Sequence, residues 1–342
     1  MTSTQSPGRH RQGTAGQARR HRHQARRRRR VAIAAATVLV AVTAAATARY
    51  AVGRSAPPAG PVARQDGRIP LPTKAGSYLG VYPDGVPASY TGVRSFGAAT
   101  RVQPDVVTYY SGWQEPFQAS FAATASRSGA VPLVQMNPTG VSIGAIAAGH
   151  YDEYLRAYAA AVHRYGHPVI LSFGHEMNGY WYSWASGHTA PATFVAAWQH
   201  LVNVFRAAGT SNVTWLWTVN VFQSQAGVSS PRAWWPGASY VTWVGLDGYY
   251  YTAAARFSSV FGPAIAGIRA WTRKPILIAE TSATPAAGQP AKIADLFAGI
   301  RLYGLLGFVW FDNDTNQDWR LTSPAAIASF RRSAQLYRRP TP

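Results

Sequence analysis

A (β/α)8 barrel is the fold class this sequence predicts, and three observations predict it. Eight short apolar, β-rich runs recur along residues 77–312, most of them followed by an Ala-rich stretch of helical character. The runs are continuously apolar rather than alternating, the mark of parallel strands buried on both faces beneath helical crossovers. Eight such units occupy about 260 residues, close to the roughly 250 typical of that barrel. The competing architecture, an open doubly wound sheet, calls for a glycine-rich first turn. "YLGVYPDG" does not fit GxGxxG.

The strands are expected at "SYLGVY" (77–82), "DVVTYYSG" (105–112), "VPLVQMN" (131–137), "PVILSFGHE" (168–176), "NVTWLWTVN" (212–220), "YVTWVGLDGYY" (240–250), "PILIAET" (275–281) and "LGFVWFD" (306–312). Helices are expected at 115–127, 150–165, 191–208, 258–271, 290–302 and 324–337. The crossovers at 85–98 and 231–236 have weak helical character.

The formal charge of +20 looks at first like that of a nucleic-acid binder, but its distribution argues otherwise, and a nucleic-acid-binding arm would leave the apolar run after it unexplained. Residues 1–30 carry ten arginines and no acid, whereas residues 65–342 hold 20 basic and 13 acidic residues. The basic tail runs into residues 31–48, which carry no charge. This is the pattern of a signal peptide, with Ala46-Thr47-Ala48 as a small-x-small cleavage site, or of a membrane anchor near the short end of the roughly 17–25 residues needed to span. Arginines ahead of the segment place the following domain outside the cell. Residues 49–76, rich in Pro, Gly and Ala, read as a flexible linker, and residues 77–337 as the barrel domain. The chain has no cysteine, so disulfides and thiolate metal sites are excluded.

Function in such a barrel sits at the C-terminal ends of the strands. The chain has four glutamates. Glu115 and Glu153 fall in or beside helices, whereas Glu176 and Glu280 each end an apolar strand, the fourth and the seventh. A carboxylate at the edge of a core is costly unless partnered. Two of them facing one another suit glycosidic bond cleavage, one protonating the leaving oxygen and the other attacking the anomeric carbon or activating water. Other strand-end residues are candidates for holding substrate or tuning the pair: His175, Trp181 in "GHEMNGYWYSW", Asn220, Tyr249 (placed to orient Glu280), Trp310 and Trp113. Tryptophan faces pack well against the apolar faces of sugar rings. Asp247 reads as structural, and Asp312, Asp314 and Asp318 as a solvated acidic loop. A zinc helix is disfavoured, because HExxH requires His where Gly179 stands.

"GHEMNGYWYSW" resembles the fourth-strand motif of glycoside hydrolase family 26, the β-mannanase-type barrels. "ILIAETSA" is similar to that family's seventh strand and "YVTWVGLDGYYY" to its sixth. The resemblance implies that Glu176 is the acid/base, Glu280 the nucleophile, Tyr249 the nucleophile's partner and Trp310 part of the sugar-binding floor. It also implies retention of anomeric configuration and a substrate among β-mannan, β-glucan and β-xylan, with β-mannan first. Asn137 and Gln135 stand after the third strand, where mannanases of the family tend to carry a histidine.

The expectation is therefore an exported or membrane-tethered monomer that hydrolyses a β-linked polysaccharide by double displacement. It needs no metal or organic cofactor and has no nucleic-acid partner. It touches the membrane only if its N-terminal segment stays uncleaved. The alternatives are a carbohydrate-binding barrel without catalysis, and an envelope enzyme that remodels the cell's own exopolysaccharide.

Overall fold

A computed structural model describes residues 71–222, 227–315 and 317–338. The basic segment, the apolar segment 31–48 and most of the linker lie outside the described residues. Among the described residues no helix is long and apolar enough to cross a membrane.

Eight parallel strands close on themselves in sequence order: β1 (Tyr78–Pro83), β2 (Val106–Gly112), β3 (Val131–Asn137), β4 (Val169–Phe173), β5 (Val213–Asn220), β6 (Trp243–Asp247), β7 (Ile276–Thr281) and β8 (Gly307–Asp312). The helices are α1 (Thr91–Thr100), α2 (Ala119–Arg127), α3 (Ile143–Ala147), α4 (Asp152–Tyr165), α5 (Pro191–Ala207), α6 (Phe257–Val260), α7 (Gly262–Arg269), α8 (Gln289–Leu302) and α9 (Pro324–Tyr337). All eight expected strands are present. The weak first crossover is a true helix, because Val93, Phe96 and Thr100 fall on one buried face despite two glycines. The weak fifth crossover yields only a 3-10 turn at Pro231–Trp234. The helix expected at 258–271 divides into α6 and α7, where Pro263 stands in the first turn of α7.

Two cores follow from the alternation of side chains along the strands. Inside the barrel, Tyr78, Val106, Leu133, Ile170, Leu216, Trp243, Leu277 and Val309 form an apolar plug. Between barrel and helices lies the larger core, in which Phe330 of α9 meets Phe96 of α1, Phe297 of α8 and Trp310 of β8 edge to face. Asn212, in a glycosylation-type "NVT" triplet, turns its amide inward to the carbonyls of Val162 (2.9 Å) and His167 (2.7 Å).

The barrel closes where β8 meets β1, and Gly307 is the reason it can. A Cβ there would lie 1.8 Å from the Tyr78 carbonyl oxygen, and its φ of 146° is one that L side chains rarely adopt. Gly307→Ala is expected to destabilise the domain by about 3 kcal/mol or more, read as a lower midpoint in urea unfolding, because the clash is with backbone that cannot repack.

Candidate active site

At the end of β4 the chain leaves the sheet early. The strand expected to run to Glu176 stops at Phe173. Gly174 (φ 54°) and Glu176 (φ 55°) then both take left-handed backbone. Gly174 is needed for a second reason, since a Cβ would come within 2.9 Å of the Phe194 ring. A left-handed glutamate is strained by about 1–2 kcal/mol, a strain of the kind found at functional positions. The Glu176 amide still donates to the Thr218 carbonyl (3.0 Å), so the turn stays tied to β5.

On the opposite side of the mouth, the pairing of β7 shifts register against both neighbours. Ala279 lies in the barrel interior, and the next residue, Glu280, also reaches the site, which regular alternation would forbid and a bulge permits. Both glutamates are buried, with exposures of 7% for Glu176 and 6% for Glu280.

Every hydrogen bond to the two carboxylates comes from a neutral donor. Glu176 Oε1 accepts from Asn220 Nδ2 (2.5 Å) and Oε2 from the Trp181 indole (2.8 Å). Glu280 Oε1 accepts from the Tyr110 hydroxyl and Oε2 from the Tyr249 hydroxyl (2.7 Å). Burial first, and then the charge of Glu280, push Glu176 up to about 8. Burial also raises Glu280, but its two phenol donors oppose the shift. Both phenols are held far above their ordinary range by burial and then by the charge of Glu280, so they stay protonated and remain donors. Burial thus raises both carboxyl groups, and the pair is held unequally, since the charge of Glu280 adds to the shift of Glu176 while two phenols oppose that of Glu280.

His175 is 2% exposed, and burial lowers it to about 3, so it is neutral. Its Nδ1 donates to Asn137 Oδ1 (3.0 Å), and Nε2 accepts from the Tyr182 hydroxyl (3.2 Å). It therefore braces the mouth between β3 and the β4 loop, with neither nitrogen free for a sugar. Trp184 extends the brace by donating to the His175 carbonyl (2.9 Å) and stacking on Tyr182 at 4.4 Å.

Structure and sequence part ways at two tryptophans. Trp310 is completely buried and faces α9 against Phe330, so it has no surface to offer a sugar. The mouth is lined instead by its neighbour Phe311, whose ring meets Tyr82 (4.8 Å) and Tyr249 (5.9 Å). Trp113 packs outward against Tyr151, Tyr154 and Phe173 and belongs to the core between barrel and helices. Conversely, Asp247 lies in the site. It is fully buried with neither carboxylate oxygen well hydrogen-bonded, and burial, then Glu280 and Glu176, hold it far above the usual carboxylate range. Asn178 also escaped functional assignment from the sequence, and Tyr110 stood at a strand end without a role. Only the two-residue alternation of Val106, Thr108 and Tyr110 hinted that Tyr110 points inward. His175, Asp247 and Glu280 bring one potential metal-ligand atom each within 4.8 Å of one another, but both nitrogens of His175 and both oxygens of Glu280 already have partners.

A pH dependence of stability follows. Because folding raises Glu176 above its unfolded value, the folded state binds its proton more tightly, and stability is lost as pH climbs from about 4.5 to about 8. Glu176→Gln removes that term. Its melting temperature is expected to gain on that of the wild type steadily from pH 5 to pH 8, by up to about 1.4 kcal/mol of stability per pH unit. Parallel melting curves across that range would contradict the shift.

Residues 152–318 match the model for glycosyl hydrolase family 26. Among curated proteins, an endoglucanase H of Acetivibrio thermocellus is 30% identical over 275 residues, which are 75% of this chain and 30% of the relative. A β-1,3-xylanase of a Vibrio species is 26% identical over 205 residues, covering 56% of this chain and 42% of the relative. The chain spans less than half the length of these curated relatives. Among solved structures, a Bacillus subtilis mannanase superposes with a TM-score of 0.58 at 14% identity, over 75% of this chain and 85% of that one. An endo-β-1,4-mannanase double mutant of Cellulomonas fimi gives 0.57 at 18% identity, over 70% and 64%. These likenesses show a shared fold. The family match takes in β4 through β8 with both glutamates, and the chain belongs to glycosyl hydrolase family 26.

Proposed function

We propose that the protein is a retaining glycoside hydrolase that cleaves β-linked polysaccharide by double displacement. The observation that carries this reading is the unequal pair of buried carboxylates. Glu176 is raised by burial and by its partner, and Glu280 is steadied by two phenol donors. Glu280 attacks the anomeric carbon while Glu176 gives its proton to the departing oxygen, leaving a glycosyl ester on Glu280. Glu176 then takes a proton from water as that water attacks the same carbon, and Glu280 leaves as carboxylate.

The electrostatics support both halves of this cycle. When Glu280 becomes an ester its charge disappears, and with it one of the causes that raise Glu176. Glu176 therefore holds its proton until it must donate, and afterwards stays a carboxylate that can take a proton from water. The hydroxyls of Tyr110 and Tyr249 stabilise Glu280 most when it is charged, which favours its role as a leaving group in the second step.

Around the pair, Trp181 is half-buried, and Tyr180 and Tyr251 are 58% and 51% exposed. Tyr180 packs on Trp181 beside Glu176, and Tyr251 on Tyr249 and Trp319 beside Glu280. Rings exposed on both sides of the pair suit a chain that passes through the mouth. β-Mannan comes first among the substrate classes, with β-glucan and β-xylan behind it; the names of the curated relatives include an endoglucanase, a β-1,3-xylanase and a mannan endo-1,4-β-mannosidase, and those of the solved structures include mannanases. Export is part of the proposal and rests on the arginine-rich start followed by an uncharged segment. The binding-only alternative loses ground to the presence of both carboxylates. The remodelling alternative uses the same two and would reveal itself by transglycosylation products.

Product analysis on mannan, glucomannan, lichenan, curdlan and xylan tests the reading. Glu280→Ala is expected to abolish turnover on whichever is cut. Glu176→Ala is expected to lose about 10²–10⁴-fold on natural leaving groups and little on activated aryl glycosides. In the wild type, kcat/KM is expected to decline on the alkaline side near pH 8, where Glu176 loses its proton. Inactivity on every polysaccharide would sink the hydrolase reading, as would wild-type rates in both variants.

A further inference from the structure

Asn178 is fully buried two residues beyond Glu176, and its side chain is saturated by main-chain groups from other segments. Its Nδ2 donates to the Asn220 carbonyl (2.9 Å) and to the Ser229 carbonyl (3.2 Å), and its Oδ1 accepts from the Asn220 amide (2.9 Å). Its own carbonyl accepts from the Ser229 amide (3.0 Å) and hydroxyl (3.1 Å). Both main-chain groups of Asn220 are thus taken by one side chain, as a neighbouring strand would take them.

What Asn220 does with that support is the point of interest. Its Nδ2 donates to Glu176 Oε1 at 2.5 Å, while its Oδ1, buried, has no partner. With only one partner for its own amide group, Asn220 depends on its backbone pose for its aim. That pose is set by Asn178. A closed circuit results, from Glu176 through the β4 loop to Asn178, across to the backbone of Asn220, and back through its side chain to the Glu176 carboxyl group.

We infer that Asn178 is a positioning residue for the acid/base: it acts through Asn220 to fix where Glu176 Oε1 lies and how readily that group gives up its proton. This inference rests on the reading of Glu176 as the proton donor. Asn178 touches neither Glu176 oxygen and contributes nothing to Glu280, so its effect falls on proton transfer and not on nucleophilic attack. Freed from Asn220, the Glu176 carboxylate loses a donor that stabilises its charged form, so its proton is held more tightly.

The test uses the full chain, with the polysaccharide that the wild type cuts and the matching 2,4-dinitrophenyl β-glycoside, whose departure needs no proton. In Asn178→Leu, and in Asn178→Asp as a second variant, kcat/KM on the polysaccharide is expected to fall about tenfold or more while that on the aryl glycoside stays within about twofold, the split expected when general acid catalysis is weakened. The alkaline limb of the polysaccharide profile is expected to move to higher pH. In an Asn220→Ala background, adding Asn178→Leu is expected to change little, because the route is already cut. Equal losses on both substrates, an unmoved alkaline limb, or a full Asn178 effect persisting in Asn220→Ala would each overturn the inference. If Glu176→Ala itself shows no leaving-group dependence, the acid/base reading fails first. If Glu176→Ala shows it and the Asn178 variants do not, the positioning role alone fails.

Discussion

Two carboxyl groups kept out of water without a cation between them are the constraint on which the rest of the barrel mouth depends. Among the described residues, neither Glu176 nor Glu280 is paired with an arginine or lysine. The nearest cationic candidate, His175, lies 3.9 Å from Glu280 and is neutral. An arginine at this place would let both groups ionise. Amide, indole and phenol donors do something different, since they satisfy the oxygens while leaving mutual repulsion to decide which group keeps the proton. The need for large neutral donors explains why rings crowd this end of the molecule, and why the basic residues of the domain act elsewhere.

The barrel meets that need by breaking its own regularity in a few places. An apolar plug fills the lower interior and a layer of rings joins the sheet to its helices, so the mouth rests on a rigid base. Above it, the left-handed turn after β4 lifts Glu176 inward, and the register shift along β7 brings Glu280 to meet it. The loops beyond are fastened by side chains standing in for strands: His175 bridges Asn137 and Tyr182, and Asn178 holds Asn220 and Ser229.

The eight strands were legible because a barrel strand must be apolar throughout, and that property survives in a single sequence. The glutamate pair was legible for the opposite reason, since a carboxylate at the end of such a run has to be explained. What could not be read was the face a residue takes once the strand has ended. Val309 and Phe311 point inward and Trp310 between them points out, and a motif containing all three does not reveal the phase. Trp113, one residue past β2, poses the same problem. Asp247 was read as structural because its nearness to both glutamates arises from pairing with β7, a contact between residues 33 positions apart.

The left-handed backbone at Glu176 also bears on the history open to this domain. An acid that is buried, facing a like charge and held on unfavourable backbone makes the folded chain less stable than a glycine or asparagine at that position would. On the proposed role of Glu176 as acid/base, the need for activity is what opposes that gradient. A descendant released from the need to cut its glycan would be drawn to a sturdier mouth with its aromatic walls intact. Family members that grip polysaccharide without severing it are therefore the direction in which neglect, rather than innovation, would carry this fold.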